Sequence, residues 1–335
     1  MAFRKLADLK KYLPLPTEPE AEKAFATYRN YLVHIERCLG GEYGVGASFV
    51  PSIVTNVRTS PKFARIGRRT LSQNDLDRLR NSWRIGWAKE LQLRIPGAFG
   101  DVLPFLIHGS GIHAYYVVFH AARALFTAGG QAVAPSHSAT LASLSSWVKD
   151  RDLFPVPWSV RAEGGPSRST MRVIGKPTYA ATSGGVSPLS APSPATVWDS
   201  LDMLLFTTRE RQVDERKKQW REKNRRLRVP ASETAKLCAN LLPTTLFNVL
   251  FRLRKRSDYS DADAFLDGIP TAAAAAEYHS AICTFVHGTL TVLETVAVAY
   301  TGLDVYEETA ERFLQQAPGP ASEALASRRA AIAGP

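Results

Sequence analysis

One segment constrains this chain more than any other: TAAAAAEYHSAICTFVHGTLTVLETVAVAYTG, residues 271 to 302. Its Ala-rich start has high helix propensity, and residues 281 to 300 come nearest in the chain to the length and apolarity of a membrane span. Yet that span carries His287, Glu294 and five Thr or Cys positions, and polar groups in such number are costly in lipid. The segment is expected as a buried core helix that other helices must surround, with no membrane partner. At 335 residues and 45% apolar content, the chain has the material to surround it.

Helical punctuation recurs along the rest of the chain. Thr17-Glu18-Pro19-Glu20 predicts a helix start with Thr17 as N-cap, and an apolar stripe follows at Ala21, Phe25, Tyr28, Leu32, Ile35 and Leu39 as far as Gly40-Gly41. Residues 42 to 70 lack a helical period and are expected as loop with short strands. LSQNDLDRLRNSWRIGWAKELQLRIP predicts a helix that ends at Pro96. HAYYVVFHAARALFTAGG, 113 to 130, predicts another, and a shorter one is expected from Ser136 to Trp147. Residues 155 to 196 are rich in Pro, Gly and Ser and are expected as an irregular insertion without its own core. Helical pattern returns from Trp198 and again over 241 to 259, while the last fifteen or so residues are expected to fray. The fold class is all-α. The expected division is an N-terminal helical region over 1–99, a bundle over 100–302 interrupted by an insertion at about 149–232, and a C-terminal helix with a frayed tail over 303–335.

Charge narrows the partners. Forty-two Lys and Arg stand against 31 Asp and Glu, a formal charge of +11, and a pI near 9.7 favours an anionic partner such as RNA, DNA or an acidic protein surface. The run RERQVDERKKQWREKNRRLR, 209 to 228, holds ten Lys or Arg against four acids. Arg211, Lys217 and Arg221 are candidates to neutralise phosphates and Trp220 to stack on a base, with a plain solvated helix as the alternative. The cysteines, Cys38, Cys238 and Cys283, are odd in number and far apart, so they suggest buried thiols in a reducing cytoplasm rather than disulfides or zinc ligands. The start MAFRKLADLKKYLPLP lacks the apolar stretch and small-residue cleavage site of a secretory signal. No GxGxxG, P-loop, HExxH, GxSxG or Asp-rich cluster is present, and neither metal nor cofactor is expected.

Two separated segments resemble the HEPN domain, a nucleotide-binding helical bundle. In HAYYVVFHAARALFTAGGQAVAPSHSATLASL the matching positions are Tyr115, Tyr116, Phe119, His120, Ala121, Ala122, Arg123, Ala124, Leu125, Gly129 and His137. In LFRLRKRSDYSDADAFL they are Arg254, Asp258 and Tyr259, followed by the Ala-rich helix where the family has its fourth. The resemblance implies a HEPN-like core from roughly 100 to 300, interrupted by an insertion longer than the family's usual linker. It also implies nucleotide or RNA contact at His120, Arg123, His137, Arg254, Asp258 and Tyr259, and a bacterial defence or toxin-like setting. Read without the family, the aromatic and Ala stripe is core packing and Arg254 with Asp258 a surface ion pair.

Ribonucleases of that family use Arg, a polar residue, three to five others and His, and work as dimers without metal. RNYLVH supplies the letters as Arg29, Asn30 and His34. In such chemistry His moves the 2′-hydroxyl proton and Arg offsets charge on the phosphorane. Here the motif sits in the first helix, and residues five apart on a helix lie about 140° around its axis. At the family's own position, RKRSDYSD has no His. Three readings result: a non-catalytic nucleotide or RNA binder, a metal-independent endoribonuclease using Arg29 and His34, and a helical module that pairs with itself or another helical protein.

Overall fold

In a computed structural model of the chain, residues 18–151, 153–165, 167, 169–175, 194–255, 269, 271–317 and 320–334 are described. The protein is predominantly helical, as its periodicity dictates. Helix α1 spans Glu18–Tyr43, running through Gly40-Gly41. It ends at Gly44, whose φ of +74° suits a residue without a Cβ and whose N–H returns to the Gly40 carbonyl at 3.0 Å. The N-cap expected at Thr17 lies outside the described residues. Helix α2, Phe49–Arg58, occupies part of the stretch expected as loop. Pro51 sits in its first turn, where a missing N–H costs nothing, and Phe49, Val50, Ile53, Val54 and Val57 form a buried face.

Helix α3, Gln73–Arg94, is capped by Ser72, whose hydroxyl accepts from the Asp75 N–H at 3.2 Å. A four-residue turn of helix, α4, covers Leu103–Leu106, and α5 covers Ser110–Ala128 before closing at Gly129. Helix α6, His137–Arg151, follows. Two strands, β1 at Arg161–Gly164 and β2 at Met171–Ile174, come next, then the 31-residue α7, Pro194–Asn224, and α8, Ala231–Ala239. A two-residue strand β3, Thr244–Thr245, leads into α9, Leu246–Lys255. Helix α10, Ala272–Thr301, is capped by Thr271, and α11, Leu303–Leu314, and α12, Pro320–Ala333, complete the chain.

The segment that opened the sequence reading lies where its composition requires. Helix α10 is long and apolar enough to cross a membrane, but 83% of its most apolar window is buried inside the protein. Helices α1, α2 and α5 pack directly on it, and α5 crosses both α3 and α9. One contiguous hydrophobic core results, with members from Phe25 to Ile332. It passes across residues 99 and 302, so the regions on either side of the expected boundaries share it.

The described residues at the start of the Pro, Gly and Ser-rich stretch are built into the fold, and its residues 176–193 lie outside the described residues. Strand β1 is the centre of a small antiparallel sheet ordered β2-β1-β3, pairing Arg161 with Ile174 on one side and with Thr245 on the other. Trp158, Val160 and Ala162 join the main core, and the Trp158 indole donates to Thr289 of α10 at 2.9 Å. The helical period gave no warning of this because four-residue strands leave almost no pattern.

The tail also differs from expectation. Residues 320–333 are helical, and Arg328 on α12 is completely buried. Its guanidinium reaches Glu90 of α3 at 2.7 and 3.0 Å and Glu294 of α10 at 3.0 Å. An Ala, Ser and Arg composition looks frayed until a buried carboxylate pair elsewhere gives its arginine a partner.

Candidate functional site

Helix α5 places Tyr115, Tyr116, Phe119, His120 and Arg123 on neighbouring turns, so i, i+3 and i+4 spacing gathers them on one side. The first residue of α6 and the last turn of α9 close over this side. His137 lies 4.5 Å from Phe119 between ring centres, and its Nδ1 is 2.9 Å from the Tyr115 hydroxyl. The Arg254 guanidinium stands over Tyr115 and Tyr116 at 5.2 and 4.9 Å, and that of Arg123 over Phe119 at 5.5 Å. His120 stacks on Tyr116 at 6.5 Å and meets Phe119 edge-on at 5.3 Å. Four polar residues singled out from the sequence, His120, Arg123, His137 and Arg254, thus come from three helices into one aromatic cluster. Asp258 and Tyr259 lie outside the described residues.

The electrostatics follow from the company these groups keep. Burial pushes the His120 imidazole down to about 4, helped by Arg123, Lys89 and His137. Burial also lowers His137, with Arg254 and Arg123 acting in the same direction. Every charged neighbour named here is cationic, so both histidines are neutral at pH 7 and the site carries a field that favours anions. Burial raises the Tyr115 phenol, so Tyr115 keeps its proton and shares a hydrogen bond with Nδ1 of His137. Chemically the cluster offers guanidinium and imidazole donors beside aromatic faces, a set suited to phosphate and base contact.

Arg29 and His34 are not brought together in this way. His34 is 1% exposed, with Nδ1 held 2.9 Å from Ser200 of α7 and its pKa lowered by burial. Arg29 points elsewhere, donating to its neighbour Asn30 at 3.1 Å and lying 3.7 Å from Glu277. A general base sealed in the core has no route to a 2′-hydroxyl, so the endoribonuclease reading of RNYLVH is withdrawn.

The basic run is divided by the fold. Its first member, Arg209, is buried and donates to the carbonyls of Ala162, Gly164 and Leu242, satisfying the small sheet and its connection. Trp220 is half-buried and lies near Glu233 of α8, so it sits between two helices rather than standing free as a base-stacking platform. Lys217 pairs with Asp214 at 3.4 Å, and Arg221 is exposed. Arg211 instead faces a cavity of about 510 Å³ between α6, α7 and α9. Sequence reading passed over Arg252, Lys255 and Phe251, which line that cavity and whose one signal was the amphipathic spacing of LFNVLFRLRK.

The remaining buried histidines are structural. His279 contacts Cys283 at 3.6 Å, and His287 accepts from Arg328 at 2.9 Å. All three cysteines are buried free thiols, and burial pushes Cys283 up to about 12. Among the described residues no cluster of His, Cys, Asp and Glu has the makings of a metal site. No protein-family model, curated protein or solved structure matches the chain.

Proposed function

We propose that this protein binds a nucleotide or RNA, without cleaving it, through the cluster of His120, Arg123, His137 and Arg254 on Tyr115, Tyr116 and Phe119. The observation that carries the reading is the convergence of these four side chains from three helices. Core packing accounts for the aromatic residues alone. It does not account for two guanidiniums and two imidazoles gathered beside them, the imidazoles kept neutral by burial and by the nearby cations. A bound phosphate accepts from the guanidinium and imidazole donors, and the half-buried Tyr116 lies beside them. The resemblance to HEPN bundles supports the same reading and is the basis for a defence or toxin-like context. Arg221 extends the basic surface on α7.

The test is titration of a labelled RNA oligonucleotide with the purified protein over a range of salt, in EDTA, with total RNA incubated in parallel. Binding that steepens as salt falls, with intact RNA, is expected. An absence of salt-dependent binding, or binding unchanged in an Arg123→Gln, His137→Gln double variant, would refute the reading.

One observation favours a second reading, the helical interaction module. Phe99 and Phe105 are 51% and 70% exposed, and Ile95, Val102 and Leu106 beside them in sequence are also exposed. A group of apolar side chains in water is a common mark of association with a second copy or another helical protein. Sedimentation of the protein and of Phe105→Asp distinguishes the two readings, since RNA binding through the cluster is indifferent to this substitution.

A further inference from the structure

The cavity between α6, α7 and α9 is separate from the cluster, divided from it by Phe251, whose ring lies 5.4 Å from Tyr115. Its volume, about 510 Å³, is in the range that holds small-molecule ligands. Arg211 and Arg216 from α7 and Arg252 and Lys255 from α9 line it, against one carboxylate, Glu215. Four cations less one anion leave +3. Glu215 is already engaged by Lys255 at 2.7 Å, and neither Arg211 nor Arg216 has a carboxylate partner among the described residues.

Arg252 makes the imbalance costly. Its Nη1 donates to the hydroxyls of Thr207 and Thr208 at 2.7 and 3.0 Å, which are neutral, and the Tyr28 phenol also faces it. Its buried Nε has no partner. Burial lowers its pKa, and the nearby Arg211 lowers it further. A desolvated guanidinium beside a second guanidinium is unfavourable unless something anionic offsets both. Phe251, Leu141 and Leu241 add an apolar part to the lining, with the Lys255 ammonium 5.1 Å from the Phe251 ring.

We propose that this cavity binds a small molecule carrying two adjacent phosphate groups, with the phosphates on Arg211 and Arg252 and any attached ring against Phe251. A single phosphate carries about −1.5 to −2 at neutral pH and leaves part of the +3 unmatched, whereas a diphosphate matches it. The cavity is a half-open pocket between three elements, with Glu215, Arg216 and Lys255 exposed at its rim, and its volume suits a compact ligand.

The experiment is calorimetric titration of the full chain at low salt with inorganic pyrophosphate and, separately, with ADP, using sulfate as control. One site is expected for pyrophosphate and ADP. Arg211→Gln, on the half-buried rim, should weaken both about tenfold or more, as loss of a charge-assisted contact does, while melting like the parent. Arg252→Gln should do the same, and Arg211→Gln keeps the test decisive if that variant folds poorly. ADP binding more tightly than pyrophosphate would support the site with a nucleoside on Phe251, and equal binding would support it with the diphosphate alone. No binding of either at millimolar concentration, equal binding of sulfate, or an unchanged Arg211→Gln variant would overturn the proposal. Arg123→Gln should leave pyrophosphate binding intact, so this site and the RNA-binding cluster fail independently.

Discussion

Two polar centres handle charge in opposite ways. In one, Glu90, Glu294, Arg94, Arg328 and His287 form a closed network. Arg328 bridges both carboxylates, Arg94 adds two bonds to Glu90 at 3.0 Å, and Trp87 and Tyr306 donate to Glu294 at 2.8 and 2.6 Å. Burial lowers the pKa of His287, so the charges there sum to zero, two carboxylates against two guanidiniums. In the other, His120, Arg123, His137 and Arg254 meet over aromatic rings, and the charged groups acting on the two histidines are all cationic. A network that satisfies itself holds a fold together. A partly exposed centre whose histidines feel only cations among the described residues is suited to a partner from outside.

Breaking the closed centre should have the largest effect. Arg328→Ala leaves two buried carboxylates with Arg94 alone, and removing one partner of a buried pair costs about 3–5 kcal/mol. Chemical denaturation should show that loss together with early release of α12, whose backbone otherwise receives Arg58 at 2.6 and 2.7 Å. A variant as stable as the parent would mean that the network does not hold α12 in place.

The two centres should also separate on a pH axis. Burial alone would raise Glu90, but Arg328, with His287 and Arg94, holds it well below the usual carboxylate value of 4.5. Its stabilising contribution is therefore complete above pH 4.5 and is lost as pH falls below that, because the unfolded carboxyl takes up a proton that the folded one refuses. His120 is lowered from 6.5 to about 4. The unfolded chain binds its proton first, so stability falls as pH drops from 6.5 towards 4. This second limb amounts to about 1–3 kcal/mol after allowance for its partial exposure. Denaturation curves at pH 7, 5.5 and 4 should show it, and His120→Gln should reduce it by the His120 share while leaving the shares of other lowered histidines such as His34, His137 and His287, and the Glu90 limb. A limb unchanged by the substitution would assign the titration to those other groups.

The sequence reading reached the closed and open centres unequally, for physical reasons. The core helix, α3, α5 and α6 were legible because apolar spacing, an Ala-rich start and closing residues such as Pro96 and Gly129-Gly130 act over a turn or two. The open cluster was legible in part, because four of its members sit in two local motifs. The partners of Glu90 and Glu294 were not, since they are 204 positions apart and Arg328 arrives from 34 residues further on in a helix of ordinary composition. RNYLVH misled for the converse reason: the letters were local, but the burial of His34 is decided by α7, on which Ser200 sits. The cavity escaped notice because it exists only once α6, α7 and α9 meet.

The smallest effect on stability should come from Arg123→Gln, and it sharpens the comparison most. Arg123 is half-buried and its one described aromatic contact is with Phe119, so its loss should change stability by no more than about 0.5 kcal/mol. If it contacts a phosphate, the same substitution should weaken RNA binding at every sequence tested and reduce the slope of log affinity against log salt by about 1. Binding should strengthen as pH falls from 7.5 to 5.5, because an anion seated between His120 and His137 raises both from their depressed values and draws protons into the complex. A slope unchanged by the substitution, or affinity that does not depend on pH, would mean that the cationic cluster does not contact the RNA. The asymmetry between the two centres would then need another explanation.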